Sequence, residues 1–284
     1  MNLADTMQKF QDWFTQQWVI VTGKKILPND YPWLMGHFGE VDGIGETFID
    51  QLAEKEDLIV LRDSESKGLL QSIAHLNLAE HELKRLSKQV INFYEKTSDY
   101  KLHLDVKWNP LFKPFGYVVN RLFSRRIHQL NIPTKNIASS EQLSSEIIEL
   151  VTKDRQEVKY KIWLRKFQTT GQVIYSGIYT TCTLPSGTTC IKAIFPLPKG
   201  NATVILKPNV GEHGELILKS SGKRFGEAGF YFLLKDAKGK HWSKYIKSFT
   251  DQLIVSDTEN GLKARQVLRL WDIKVAQFDY DIKN

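Results

Sequence analysis

The chain has two cysteines and three methionines among its 284 residues, and no apolar run long enough to span a bilayer as a helix. Every window of about 20 residues carries charge, against the nearly charge-free stretch a helical span needs. Two cysteines without a CxxC pair exclude a zinc ribbon and cannot staple a disulfide-built miniprotein. No GxSxG, paired SxxK motif, HExxH, P-loop or EF-hand pattern occurs, so nucleophilic and motif-borne catalysis lack support. The opening MNLADTMQKFQDWF carries acids early and not the basic-then-apolar order of a secretion signal. These absences lead us to expect a protein of the cytosol or the inner membrane face that needs no cofactor. The apolar content of 42% and charged content of 25% fit a folded chain rather than a disordered one.

Acid is missing from residues 106–140, which nevertheless carry Lys107, Lys113, Arg121, Arg125, Arg126 and Lys135. Residues 1–105 hold 11 Lys/Arg against 17 Asp/Glu, and residues 151–284 hold 22 against 12. The net charge of +7 therefore sits in the middle and end of the chain. Internal attraction between the two parts is one explanation. Anionic lipid headgroups are a second, where each basic residue adds on the order of 1 kcal/mol. Nucleic acid is the weakest, because no RNP, zinc-finger or KH signature appears.

What is present divides by period. Leu3, Met7, Phe10, Phe14 and Trp18 recur at helical spacing and predict an amphipathic helix over 3–19, stopped by Gly23 and Pro28. A glycine- and aromatic-rich loop leads to a short helix at 46–54. Residues 56–61 and 68–76 are apolar runs of strand length. Asn77 is placed to cap a long helix over 79–97, and 100–108 alternates like a strand with Leu102, Leu104 and Val106 on one face. An apolar–basic helix spans 110–130, open between packing under a sheet and resting at a membrane interface. The polar segment 131–145 is the linker candidate. Beyond it the period becomes 2, with strands at 145–152, 158–167, 172–184, 188–197, 202–208, 215–221, 229–236, 264–271 and 273–282. Residues 242–253 suit a short helix followed by a strand.

Successive strands without intervening helices imply antiparallel pairing, and so many strands need their edges hidden by curling or closure. The expected fold is α+β: a helical N-terminal half (1–135) packed on a large curled antiparallel β-sheet or β-barrel (145–284), together one compact unit. The runs VKYKIWLRKF, GELILKSS and LRLWDIKVAQFDYDI, through Trp163, Arg165, Phe167, Gly214, Leu216, Ser220 and Tyr280, resemble an uncharacterised bacterial family over the C-terminal 130 residues. That resemblance implies a β-rich half and no reaction.

The functional expectation is a non-catalytic binder of a lipid or another apolar molecule inside the sheet, lined by Trp163, Tyr175, Tyr179, Phe195, Phe230, Phe232 and Trp271. Lys113, Arg121, Arg125 and Arg126 would dock it to an anionic membrane. A filled interior is the plain alternative. A second class is an enzyme using His37, Glu40 and Asp42, in a stretch with four glycines (36, 39, 43, 45), as acid–base groups or metal ligands. A third is a protein-interaction module. Asn92–Tyr100 offers Tyr94, Glu95 and Asp99 as a pocket mouth or as helix-end groups. A three-residue turn at 185–187 would set Cys182 opposite Cys190, leaving a strained bridge or two buried thiols, the latter in a reducing compartment.

Overall fold

The computed structural model describes residue 4 and residues 10–40, 46–62, 66–112, 137–155 and 157–284. Among these, α1 (Phe10–Thr22) precedes β1 (Lys24–Ile26), and α2 (Thr47–Lys55) precedes β2 (Leu58–Leu61). Next come α3 (Glu80–Arg85), α4 (Lys88–Glu95) and β3 (Lys101–Trp108). The remaining strands are β4 (Ile137–Thr152), β5 (Val158–Phe167), β6 (Val173–Thr183), β7 (Thr189–Leu197), β8 (Gly200–Val210), β9 (Leu216–Lys219), β10 (Gly229–Lys235), β11 (His241–Tyr245), β12 (Phe249–Thr258), β13 (Gly261–Leu270) and β14 (Ile273–Lys283).

Ten of these strands close an antiparallel barrel in the order β8-β7-β6-β5-β4-β3-β14-β13-β12-β9, with β9 returning to β8. Closure removes the free edges that an open sheet of this size would present. One edge of β8 is shared. Residues 200–205 pair with β10, and residues 207–210 pair with β9. β10 carries β11 and β11 carries β1, a three-strand flange leaving the seam. Because β9 is only four residues long, it bridges β8 and β12 at one end of the seam. At the other end β10 diverges from β12, and Phe230 faces Phe249 across the gap with ring centroids 5.3 Å apart.

The period-2 pattern explains the layers. Leu102, Leu104 and Val106 on β3, Ile191, Ala193 and Phe195 on β7, and Leu216 and Leu218 on β9 point into the barrel. The alternate residues face out. Ile148, Ile162, Leu164, Ile178 and Ile194 meet α2 through Phe48, Ile49 and Leu52. Trp33 and Leu34 cover Cys182, Cys190, Ile205 and Tyr231. On β3, β13 and β14 the outward positions are charged and cross-paired, as in Arg265–Asp279 at 2.7 Å and Lys107–Asp279 at 3.6 Å. On these three strands the polarity, apolar inward and charged outward, is the reverse of a lipid-embedded barrel. No helix among the described residues is long and apolar enough to cross a membrane.

The chain is thus β-rich with a helical N-terminal segment, and several expectations need correction. Residues 68–76 form no strand: Ile73–Leu76 is a 3-10 turn whose Ile73 and Leu76 are buried against the barrel. The helix expected at 79–97 is two helices broken at Leu86, because the Ser87 hydroxyl accepts from the Gln89 N–H and starts α4 afresh. Asn77 is left-handed (φ 49°) and ends the 3-10 turn rather than capping α3. Residues 241–245 are strand, not helix, since their aromatic spacing serves the β10–β11 pairing. The described part of the linker candidate, 137–145, lies in β4, the sixteen-residue strand that joins β3 to β5. Residues 113–136, the basic helix included, lie outside the described residues.

Candidate ligand cavity

Ten staves enclose more width than eight, whose side chains just fill the interior. Here several inward positions are also small: Gly177 faces Trp163 across β5 and β6, and Ala193, Ala202 and Ala264 line the wall. The result is a cavity of about 570 Å³, within the roughly 300–1,000 Å³ of small-molecule sites. Its wall is overwhelmingly apolar. Leu69, Leu70, Phe93 and Tyr94 from the α4 region close one end, and Phe14 and Trp18 of α1 lie at the other. There Trp18 meets Phe232 edge-on at 6.2 Å, and the Gln16 side-chain amide donates to the Pro198 carbonyl at 2.7 Å. Gly23, which ends α1, lets the chain turn against β11: a Cβ there would come within 2.6 Å of the Ser243 carbonyl oxygen.

Two charged side chains from the strands, Arg165 and Asp251, interrupt this wall. Arg165 sits on β5 between the inward Trp163 and Phe167 and is only 6% exposed. Its guanidinium lies between two rings, 4.0 Å from the Trp163 centroid and 4.3 Å from that of Tyr175. Such stacking offsets part of the desolvation of the cation. The Trp163 ring is itself fixed by donating to the Ser145 hydroxyl at 2.9 Å. One terminal nitrogen of Arg165 reaches the Tyr179 hydroxyl at 3.5 Å, while its Nε–H has no partner. Asp251 on β12 is 7% exposed. Its Oδ2 accepts from the Gln266 amide at 2.7 Å, and its Oδ1 has no partner. Burial pushes the Asp251 carboxyl up to about 7, against the pull of the Gln266 hydrogen bond. Burial likewise raises the phenols of Tyr175, Tyr179 and Tyr280, which stay protonated donors. The buried Tyr280 hydroxyl lies beside the Arg165 guanidinium. Among the described residues no carboxylate is ion-paired with Arg165.

Of the seven residues expected to line a ligand site, the structure brings Trp163, Tyr175, Tyr179, Phe195, Phe230 and Phe232 to the cavity wall. Trp271 is elsewhere: it occupies the tight β13–β14 turn with φ 49° and is 70% exposed, because the turn lifts it off the sheet face. Arg165, Asp251, Gln266 and Tyr280 belong to the same wall and were not singled out as ligand contacts. Their signal was an ionic or polar residue at an inward position of an otherwise apolar alternation, as in Trp163-x-Arg165-x-Phe167 and Phe249-x-Asp251-x-Leu253.

The glycine-rich stretch serves the outer wall instead. Residues 33–39 lie flat on β7. The Lys192 ammonium donates to the carbonyls of Trp33 and Met35 at 3.1 and 2.8 Å, and a Cβ at Gly36 would collide with Ile194. Glu40 is engaged by Lys55 at 2.8 Å and Lys199 at 3.6 Å. Burial and the Lys55 charge hold the His37 imidazole below its ordinary value. Asp42, Gly43 and Gly45 lie outside the described residues, as do Lys113, Arg121, Arg125 and Arg126. Among the described residues no group of three His, Cys, Asp or Glu side chains could hold a metal ion. Cys182 and Cys190 do face each other across β6 and β7, as free thiols raised by burial to about 11 and about 12. Tyr94 is fully buried at the cavity end, Glu95 accepts from the Ile73 N–H at 2.7 Å, and Asp99 accepts from the Ser66 hydroxyl at 2.6 Å.

Fold and site together define an antiparallel β-barrel with an apolar, internally charged cavity. In sequence the chain is 25% identical over 242 residues, 84% of its length, to YndJ of Bacillus subtilis (strain 168), described as an uncharacterized membrane protein. The chain spans about two fifths of that relative, 41% of its length. No protein-family model matches the chain, and no solved structure matches it.

Proposed function

We propose that this protein is a non-catalytic carrier or sensor of a lipid or another apolar molecule held inside the barrel. The observation that carries the reading is the continuous apolar cavity of about 570 Å³ within a closed ring of strands. A sheet interior with no ligand to hold is ordinarily filled to crystal-like density, and this one is not. Native mass spectrometry of the freshly purified chain should show an adduct of lipid mass, and Nile red should bind the stripped chain saturably at one molecule per chain. A chain without adduct that never saturates with the dye would overturn the reading.

A second element of the proposal is docking on an anionic membrane through Lys113, Arg121, Arg125 and Arg126. It is supported by the acid-free run at 106–140 and by the membrane description of the Bacillus relative. Binding to vesicles containing phosphatidylglycerol should weaken with salt. It should fall severalfold when Arg121, Arg125 and Arg126 are all replaced by Ala. Equal binding by the triple variant would remove the docking surface and leave the cavity reading untouched.

A further inference from the structure

We propose that the ligand is a single-chain amphiphile with a carboxylate headgroup, held by Arg165 with its tail along the apolar wall. The inference rests on the cavity reading above and adds the chemistry of the head. Burying an ionised guanidinium is costly unless something answers it. Here the rings of Trp163 and Tyr175 lie 4.0 and 4.3 Å from its centre, but its in-plane donors meet no anion: Nε–H has no partner, the contact to the Tyr179 hydroxyl is long, and Tyr280 offers only a neutral phenol. The stacking holds the guanidinium plane fixed and leaves its charge without a counter-ion at the edge, which a carboxylate meets with two parallel hydrogen bonds. The hydroxyls of Tyr179 and Tyr280 lie beside Arg165 as additional donors.

The rest of the wall narrows the class. Asp251 faces the same cavity with an unpartnered oxygen, so a doubly charged phosphate monoester would meet a like charge that a singly charged carboxylate meets only half as strongly. The remaining lining is mostly aliphatic and aromatic, suited to an alkyl tail, and among the described residues it offers no further cation for a second acidic group.

The full chain, stripped of bound lipid, can be titrated with palmitate, methyl palmitate and hexadecyl phosphate by displacement of Nile red at pH 8. Palmitate should bind at least tenfold more tightly than its methyl ester and more tightly than the phosphate. Arg165→Met should abolish the preference for acid over ester while leaving ester affinity within about twofold. Asp251→Asn, which removes the opposing charge and keeps the Gln266 neighbour, should strengthen palmitate severalfold without altering the ester. It provides an independent reading should Arg165→Met fail to fold. Equal binding of palmitate and ester by the wild-type chain would overturn the headgroup assignment alone. So would a preference for the phosphate, or an acid preference that survives Arg165→Met. Failure of all three probes to bind would overturn the cavity reading on which it rests.

Discussion

Asp251 ties the cavity to pH. Its carboxyl titrates near 7 in the folded chain, because burial disfavours its charge, and near 3.9 in an unfolded one. Between those values the folded state holds the proton and the unfolded state does not, so stability falls as pH rises from about 4 to about 7 and is flat beyond. At roughly 1.4 kcal/mol per unit of difference, the loss attributable to this group reaches at most about 4 kcal/mol. Asp251→Asn should remove it. Urea unfolding of variant and wild type from pH 5 to 8 should show the variant's advantage growing with pH, and a constant difference would contradict this environment for Asp251. Arg165 and Asp251 were both visible in the sequence as charges on inward-facing positions, once the strand's inner face is known. What hid them is that a lone charge in an alternating run reads equally well as a solvated residue when the face is not yet assigned.

At the scale of elements, α1 is the part that meets both cavity and surface. The seam between β10 and β12 is unpaired where β9 stops, and Phe230, Phe232 and Phe249 line the gap. Trp18 stands edge-on to Phe232 there, and the Lys244 ammonium holds the end of the helix through the Thr22 carbonyl at 2.8 Å. If the barrel carries the proposed ligand, this gap is the entrance we propose for it. Trp18→Ala should raise the dissociation rate of a bound apolar probe severalfold, with a smaller change in Kd, because both entry and exit are eased. Stopped-flow transfer of probe to vesicles measures it, and an unchanged rate would place the entrance elsewhere. Strands β5 to β10, β13 and β14 were legible to within a few residues, β13 and β14 from alternation and β6 to β8, buried on both faces for most of their length, as apolar runs bounded by turns. The 68–76 run misled because a buried plug is apolar throughout whatever its backbone does. β11 misled because Trp242 and Tyr245 also fit a helical step.

For the whole molecule, antiparallel closure followed from strand number, but hollowness did not. Filled and hollow barrels share the same alternation. The difference lies in small residues on the cavity wall, Ala193, Ala202 and Ala264, supplied by strands far apart in sequence. Filling the space beside them should therefore abolish binding without unfolding the chain. The double substitution Ala193→Leu with Ala264→Leu should reduce Nile red capacity at least tenfold while the thermal midpoint stays level or rises, because the added methylenes bury about 0.8 kcal/mol each in vacant space. A lowered midpoint with binding intact would mean that the space is not where the structure puts it.

The ring is shut by β3 lying against β14, with Leu102 opposite Ile282. During synthesis β3 therefore emerges long before its partner, and its inward leucines wait uncovered while the intervening staves are made. Such distant pairing slows folding and lengthens exposure to aggregation. A nascent chain of this design would benefit from a holding chaperone, or from a greasy molecule that occupies the half-built trough before the last stave arrives.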